Sequence, residues 1–183
     1  MTKNMYWLWK SVLPKEFCEY VLKNIDWTKS EQGVVGATEG KINKKIRKSN
    51  VVWQDQFSII GCVAQSYVMA ANRYAEWNYD ISFFERIQQT KYDKTDHYTW
   101  HKDSFAPNEM NQQRKLTISI LLNDPKEFEG GKFQFKDLEN EDNLLTEQGS
   151  IIVFPSFYEH RVTPVTKGIR NSAVTWGVGT AFR

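Results

Sequence analysis

"HYTWHKDSF", residues 97–105, holds two of the three histidines of this 183-residue chain, and an aspartate stands two places after the second. In a strand, side chains two apart point to the same face, so His101 and Asp103 can present an imidazole nitrogen and a carboxylate oxygen to one point. On a helix the same spacing turns them roughly 160° apart. The pair therefore makes chemical sense only on extended backbone. The preceding "KYDKTDHYT" has no helical periodicity and permits that.

The surroundings agree with a β-rich context. Strand-length segments of alternating, β-branched or aromatic character follow one another: "ISFFERIQQ", "KLTISILLN", "KFQF", "SIIVFP" and "NSAVTWGVG". "DPKEFEGGK" carries the turn signals between two of them. Upstream, "YWLW" reads as a short strand, and Pro14 opens a helix running to about Ile25. The segment "SEQGVVGATEGKINKKIRKSN" reads as a loop or irregular hairpin, with a strand after it at "NVVW". From Asp55 to about Trp77, Phe57, Ile60, Ala64, Tyr67, Val68, Ala71 and Ala75 recur at helical spacing. Helices first and many short strands after predict an α+β, mainly β domain: a jelly roll buttressed by N-terminal helices. The expected organisation is a single domain over 1–183, with helical support to about residue 80 and the jelly-roll core over about 81–183.

Composition sets the outer limits. Aromatics make up 14% of the chain, which argues for a packed fold over disorder. A net charge of +2 gives no strong pull toward nucleic acid or an anionic membrane. No segment has the length of a membrane-spanning helix, and the N-terminus lacks the longer apolar run and cleavage site of a secretory signal. Cys18 and Cys62 are isolated thiols without CxxC spacing. The expectation is a soluble, intracellular (cytoplasmic) protein with no membrane partner; the oligomeric state is open.

A metal site needs one more ligand than the HxD pair. His160, the remaining histidine, sits beyond the apolar strand "SIIVFP". Two histidines and one carboxylate with open positions favour non-haem Fe(II), although zinc hydrolases use related sets. Ten residues later comes Arg170, on a face shared with Ser172 in the last strand. A guanidinium beside a hydroxyl is a good receiver for a carboxylate. An open Fe(II) site with such a receiver nearby is what a 2-oxoglutarate cosubstrate requires.

"YDKTDHYTWHKD", "RKLTISILLND", "EFEGGKFQF", "GSIIVFPSFYEHRVTPVTKGIR" and "NSAVTW", in this order, resemble the Fe(II)/2-oxoglutarate-dependent dioxygenases of the prolyl 4-hydroxylase-like superfamily. The resemblance runs over roughly residues 80 to 180. It implies a double-stranded β-helix, iron ligands at His101, Asp103 and His160, and a basic residue at Arg170 for the distal carboxylate of 2-oxoglutarate. Tyr92 matches a tyrosine that helps hold the cosubstrate. Leu121 stands where some members have a second tyrosine, which makes Ser172 the substitute candidate. The implied reaction couples oxidative decarboxylation of 2-oxoglutarate by O2, giving succinate and CO2, to hydroxylation of a substrate C–H bond. Ascorbate is a further candidate cofactor. Family membership favours a prolyl residue of a peptide or protein, received between the loop from Gly33 to Lys48 and "SFAPNEMNQQR".

Competing readings have their own signatures. Nucleobase dealkylases of the same chemistry carry a second arginine six residues after the first, and six after Arg170 is Trp176. A non-catalytic jelly-roll binding module would have no need of these polar residues in this order. His97 reads as a solvated loop residue, and Tyr98 and Trp100, alternating with the ligand face, as packing or rim residues. Trp53 and Trp176 read as core or cleft-wall aromatics. "KINKKIRK" reads as a solvated loop, with nucleic acid or an acidic partner as the lesser expectation.

Overall fold

The computed structural model describes residues 4–35, 42–138 and 142–182. In chain order, β1 is Trp7–Trp9, α1 is Lys15–Lys23, β2 is Glu31–Gln32, β3 is Arg47–Lys48, β4 is Asn50–Gln54 and α2 is Ile59–Tyr74. Then come β5 at Phe83–Phe84, β6 at Ile87–Tyr92, β7 at His97–His101, β8 at Gln112–Leu121 and β9 at Phe128–Gly130. β10 (Phe133–Phe135), β11 (Ile151–Pro155), β12 (His160–Val162), β13 (Val165–Gly168) and β14 (Arg170–Thr180) complete the described strands and α-helices.

The large sheet runs β1-β11-β8-β14-β6-β4-β2, with β5 also on β14. The smaller sheet runs β10-β12-β7-β3, and β13 pairs with β9. The strand pairings among the described residues are antiparallel, as expected of short strands joined by tight turns. The result is mostly β, with two helices and a jelly-roll-like arrangement. Four of the strands, β1 to β4, lie in the first 80 residues, interleaved with the helices.

Alternation along the central strands sorts residues to two faces. On β8, Leu116, Ile118 and Ile120 face a core shared with the helices, while Leu121 belongs to a second core with Phe133, Phe135 and Phe154. β11 divides likewise: Ile151 and Val153 face the helices, Ile152 and Phe154 the other side. α2 supplies Ile60, Ala64, Val68 and Ala71 to the first core at helical spacing. This helix is shorter than the spacing predicts. The Ser58 hydroxyl accepts from the Gly61 N–H at its start, an N-cap that ends the helix there. Phe57 falls outside it and is 75% exposed, so it is not a core position.

Candidate metal centre

β7 and β12 pair so that His101 lies opposite His160. Two residues further along β12, Val162 lies opposite Tyr98, three residues back on β7. β7 thus holds one extra residue, a bulge that breaks simple alternation and re-aims side chains. Its consequence is that Tyr98, expected on the opposite face from the ligands, instead stacks on the His101 ring with centroids 3.4 Å apart. Trp100 stays on the other face, under the Arg161 guanidinium. His97 Nδ1 meets the Thr95 carbonyl, and His97 does not line the cavity described below.

Asp103 lies just past β7, held by its N–H to the Ser156 carbonyl at 2.9 Å. The ligand atoms of His101, Asp103 and His160 lie within 4.8 Å of one another. His101 Nε2 is 3.6 Å from Asp103 Oδ1, and His160 Nε2 is 3.5 Å from Oδ2. The other ring nitrogens face backbone carbonyls: His101 Nδ1 meets Thr99 O at 2.8 Å, and His160 Nδ1 meets Tyr158 O at 3.0 Å. A carbonyl only accepts, so each Nδ1 carries the proton and each Nε2 offers a lone pair.

Charge follows the same logic. Burial, the neighbouring His160 and Arg47 push the His101 pKa down to about 3, against Asp103 and the Thr99 carbonyl. Burial raises the Asp103 carboxyl, but the two imidazoles and Arg114 outweigh it and hold it at about 2. Two imidazole nitrogens and a carboxylate converge there, an arrangement that a cation completes. Thr117 Oγ1 donates to Asp103 Oδ2 at 3.0 Å and meets Ser156 Oγ at 2.9 Å. Since the Thr117 proton goes to the carboxylate, Ser156 donates to Thr117. These hydroxyls orient the carboxylate, and no sequence pattern singled them out.

Arg170 opens β14, directly opposite Tyr92 on β6. It is 1% exposed, with its guanidinium 5.6 Å over the Tyr92 ring. Nη1 donates to Ser172 Oγ at 3.0 Å, and Nη2 is buried without a partner among the described residues. An unpartnered N–H on a buried cation is costly, and a carboxylate is its natural complement. Leu121 pairs with Ser172 across the sheet and is fully buried, offering no hydroxyl. A cavity of about 170 Å³ collects Tyr92, His101, Asp103, His160, Arg170 and Ser172 on one wall system. Trp53 and Trp176 line it too, their rings 6.3 Å apart. The donor set and the open guanidinium edge thus fit a divalent iron and a dicarboxylate.

Comparison with known proteins gives the same direction. Residues 87–177 match the 2OG-Fe(II) oxygenase superfamily. A PKHD-type hydroxylase of Idiomarina loihiensis is 33% identical over 91 residues, covering 50% of this chain and 41% of the relative. One of Thermosynechococcus vestitus is 37% identical over 81 residues, covering 43% and 36%. The chain thus spans well under half of these curated relatives. Among solved structures, a viral collagen prolyl hydroxylase from Paramecium bursaria Chlorella virus-1 aligns with a TM-score of 0.73 at 19% identity, covering 97% of each chain. A Pseudomonas putida prolyl-4-hydroxylase aligns at 0.69 and 19%, over 95% of this chain and 92% of that one. These structures share the fold.

Proposed function

We propose, from the match of residues 87–177 to the 2OG-Fe(II) oxygenase superfamily, that the chain is an iron(II)- and 2-oxoglutarate-dependent oxygenase hydroxylating a prolyl residue of a peptide or protein. The observation that carries this reading is the convergence of His101, Asp103 and His160 in one cavity with the open edge of Arg170. In our reading the sheets form a double-stranded β-helix, and the chain works as one cytoplasmic domain.

When bound, iron with 2-oxoglutarate and O2 supplies the oxidising power, releasing succinate and CO2. The chain's own residues have simpler tasks. His101, Asp103 and His160 hold the metal, their orientation fixed by the Thr99 and Tyr158 carbonyls and by Thr117. Arg170, with Ser172 and Tyr92 beside it, receives the distal carboxylate of 2-oxoglutarate, which sets the orientation of the keto acid end. Phe133 and Phe154, packed near His160, keep that side dry. Ascorbate, as a reductant, would keep the iron in its divalent state. Trp176 stands where a nucleobase dealkylase would carry its second arginine, which supports the peptide substrate over a nucleobase.

The test is to incubate anaerobically purified protein with Fe(II), 2-oxoglutarate and then O2, and to assay succinate. Mass spectrometry of proline-containing peptides and of alkylated single-stranded DNA then separates substrates. One added oxygen on proline supports the reading. Dealkylated base with untouched peptides overturns the substrate, and absence of any 2-oxoglutarate turnover overturns the activity.

A further inference from the structure

Arg47 is the one buried residue in the described part of the basic run 41–48, at 6% exposure. β3 pairs with β7, with Arg47 opposite Tyr98. Its guanidinium carbon lies 4.8 Å from the Tyr98 ring centroid, and Tyr98 in turn stacks on His101. Arg47 therefore lines the metal cavity from a different strand than Arg170.

The guanidinium sits in a built slot. Tyr98 covers one side, and the backbone of Gly33 closes another. A Cβ on Gly33 would stand 2.4 Å from Ser49 Oγ, 2.5 Å from Arg47 Nε and 2.8 Å from its Cζ, so only glycine lets the chain approach this closely. Nε donates to Ser49 Oγ and Nη1 to the Val34 carbonyl, each at 3.0 Å. Both acceptors are neutral. Nη2 is buried with no partner among the described residues.

The carboxylates that meet the adjacent Lys48, the cavity-lining Arg114 and the two histidines are committed to those partners. Asp96 pairs with Lys48 at 3.0 Å, and Glu85 takes two hydrogen bonds from Arg114 at 2.6 Å each. Asp103 lies between the two imidazoles. Among the described residues none forms an ion pair with Arg47. The cavity therefore has two guanidinium groups of one pattern, each anchored through a neutral oxygen and each with an open Nη2. The cosubstrate's distal carboxylate answers Arg170. Among the described residues Arg47 is left as a desolvated positive charge without a counter-charge, which a neutral ligand does not complete.

We propose that the substrate carries a carboxylate beside the residue to be oxidised and that Arg47 receives it. The proposal rests on the oxygenase reading above and names its substrate class: an acidic peptide. One open N–H and one positive charge suit a singly charged carboxylate better than a phosphate dianion. Exposed Lys44 and Lys45, just before Arg47, add positive charge on the approach.

Calorimetry on the anaerobic protein loaded with Fe(II) and 2-oxoglutarate tests it without turnover. The probes are blocked pentapeptides with proline between two glutamates or two aspartates, each against its glutamine or asparagine isostere. We expect at least one acidic peptide to bind about tenfold tighter than its amide isostere, with the advantage shrinking as salt rises. Arg47→Met should abolish that preference, and Arg47→Lys should keep part of it, while 2-oxoglutarate affinity stays within about twofold in both. Equal binding of acid and amide, or binding of neither, overturns the proposal even with 2-oxoglutarate bound normally. A collapse of 2-oxoglutarate affinity in Arg47→Met also overturns it, because Arg47 would then serve the cosubstrate. Failure of the wild-type protein to bind 2-oxoglutarate at all would instead bring down the oxygenase reading itself.

Discussion

At the scale of single residues, the proposed centre divides into groups suited to a metal and groups suited to an anion. Each of His101, Asp103 and His160 offers one of three ligand atoms, and the core behind them is separately apolar, built on Phe133, Phe135, Phe154 and Val162. His101→Ala, Asp103→Ala and His160→Ala should therefore each abolish iron binding and turnover while the far-ultraviolet circular dichroism stays native. Near-wild-type succinate production by any one of the three would show the ligand set to be different. In the proposed reading Arg170 acts on the anion. Arg170→Met removes a buried charged hydrogen bond, worth roughly 1.5–3 kcal/mol, so the apparent KM for 2-oxoglutarate should rise about tenfold or more. Iron affinity should change far less. Arg170→Lys keeps the charge and loses the fork, and should fall between. An unchanged 2-oxoglutarate dependence in the Met variant would mean that the carboxylate is received elsewhere.

Elements decide which of these residues could be read in advance. The HxD pair, the late histidine and Arg170 with Ser172 are local patterns on strands, and period-two spacing is enough to align them. The same spacing misassigns Tyr98, because one extra residue in β7 is a property of its pairing with β12 and leaves no mark in composition. Arg47 is missed for a related reason. Five basic residues among an asparagine and two isoleucines look solvated, and only the pairing of β3 with β7 buries one of them. Thr117 is one β-branched residue among many until Asp103 arrives beside it. The turn before β14 shows how an element governs a residue. Gly168 has φ +71°, and a Cβ there would come within 1.9 Å of the Glu127 carbonyl oxygen. Gly168→Ala therefore meets both left-handed strain, about 1–3 kcal/mol, and a backbone collision, two residues before Arg170. Its thermal midpoint should drop and its 2-oxoglutarate affinity should weaken together. A variant with lowered stability and wild-type affinity would show that the turn does not set the position of Arg170.

The whole molecule is stitched together more tightly than a division into helical support and β core suggests. β1 pairs with β11 at one edge of the large sheet, and β4 pairs with β6 toward the other. Chain from the first 80 residues thus flanks the sheet on both sides, and α1 and α2 pack on the face between. Helix-then-strand order in the sequence does not reveal this, because strands of two to five residues carry little periodicity of their own. The expected consequence is cooperative unfolding, and the two thiols can measure it. Cys62 is exposed, whereas Cys18 on α1 is fully buried. Burial, with Glu19 adding to it, pushes the Cys18 thiol up to about 11. The thiolate is the reactive form, so at pH 8 Cys18 is protected both by packing and by protonation. A thiol reagent should label one equivalent rapidly in the native protein. The second should label only as the protein unfolds, in step with the loss of tryptophan fluorescence and sheet circular dichroism across a denaturant series. If α1 instead opened alone, Cys18 would become reactive at denaturant concentrations well below the global transition. That result would show the N-terminal elements to be a separately folding layer, and would end the reading of the chain as one cooperative domain.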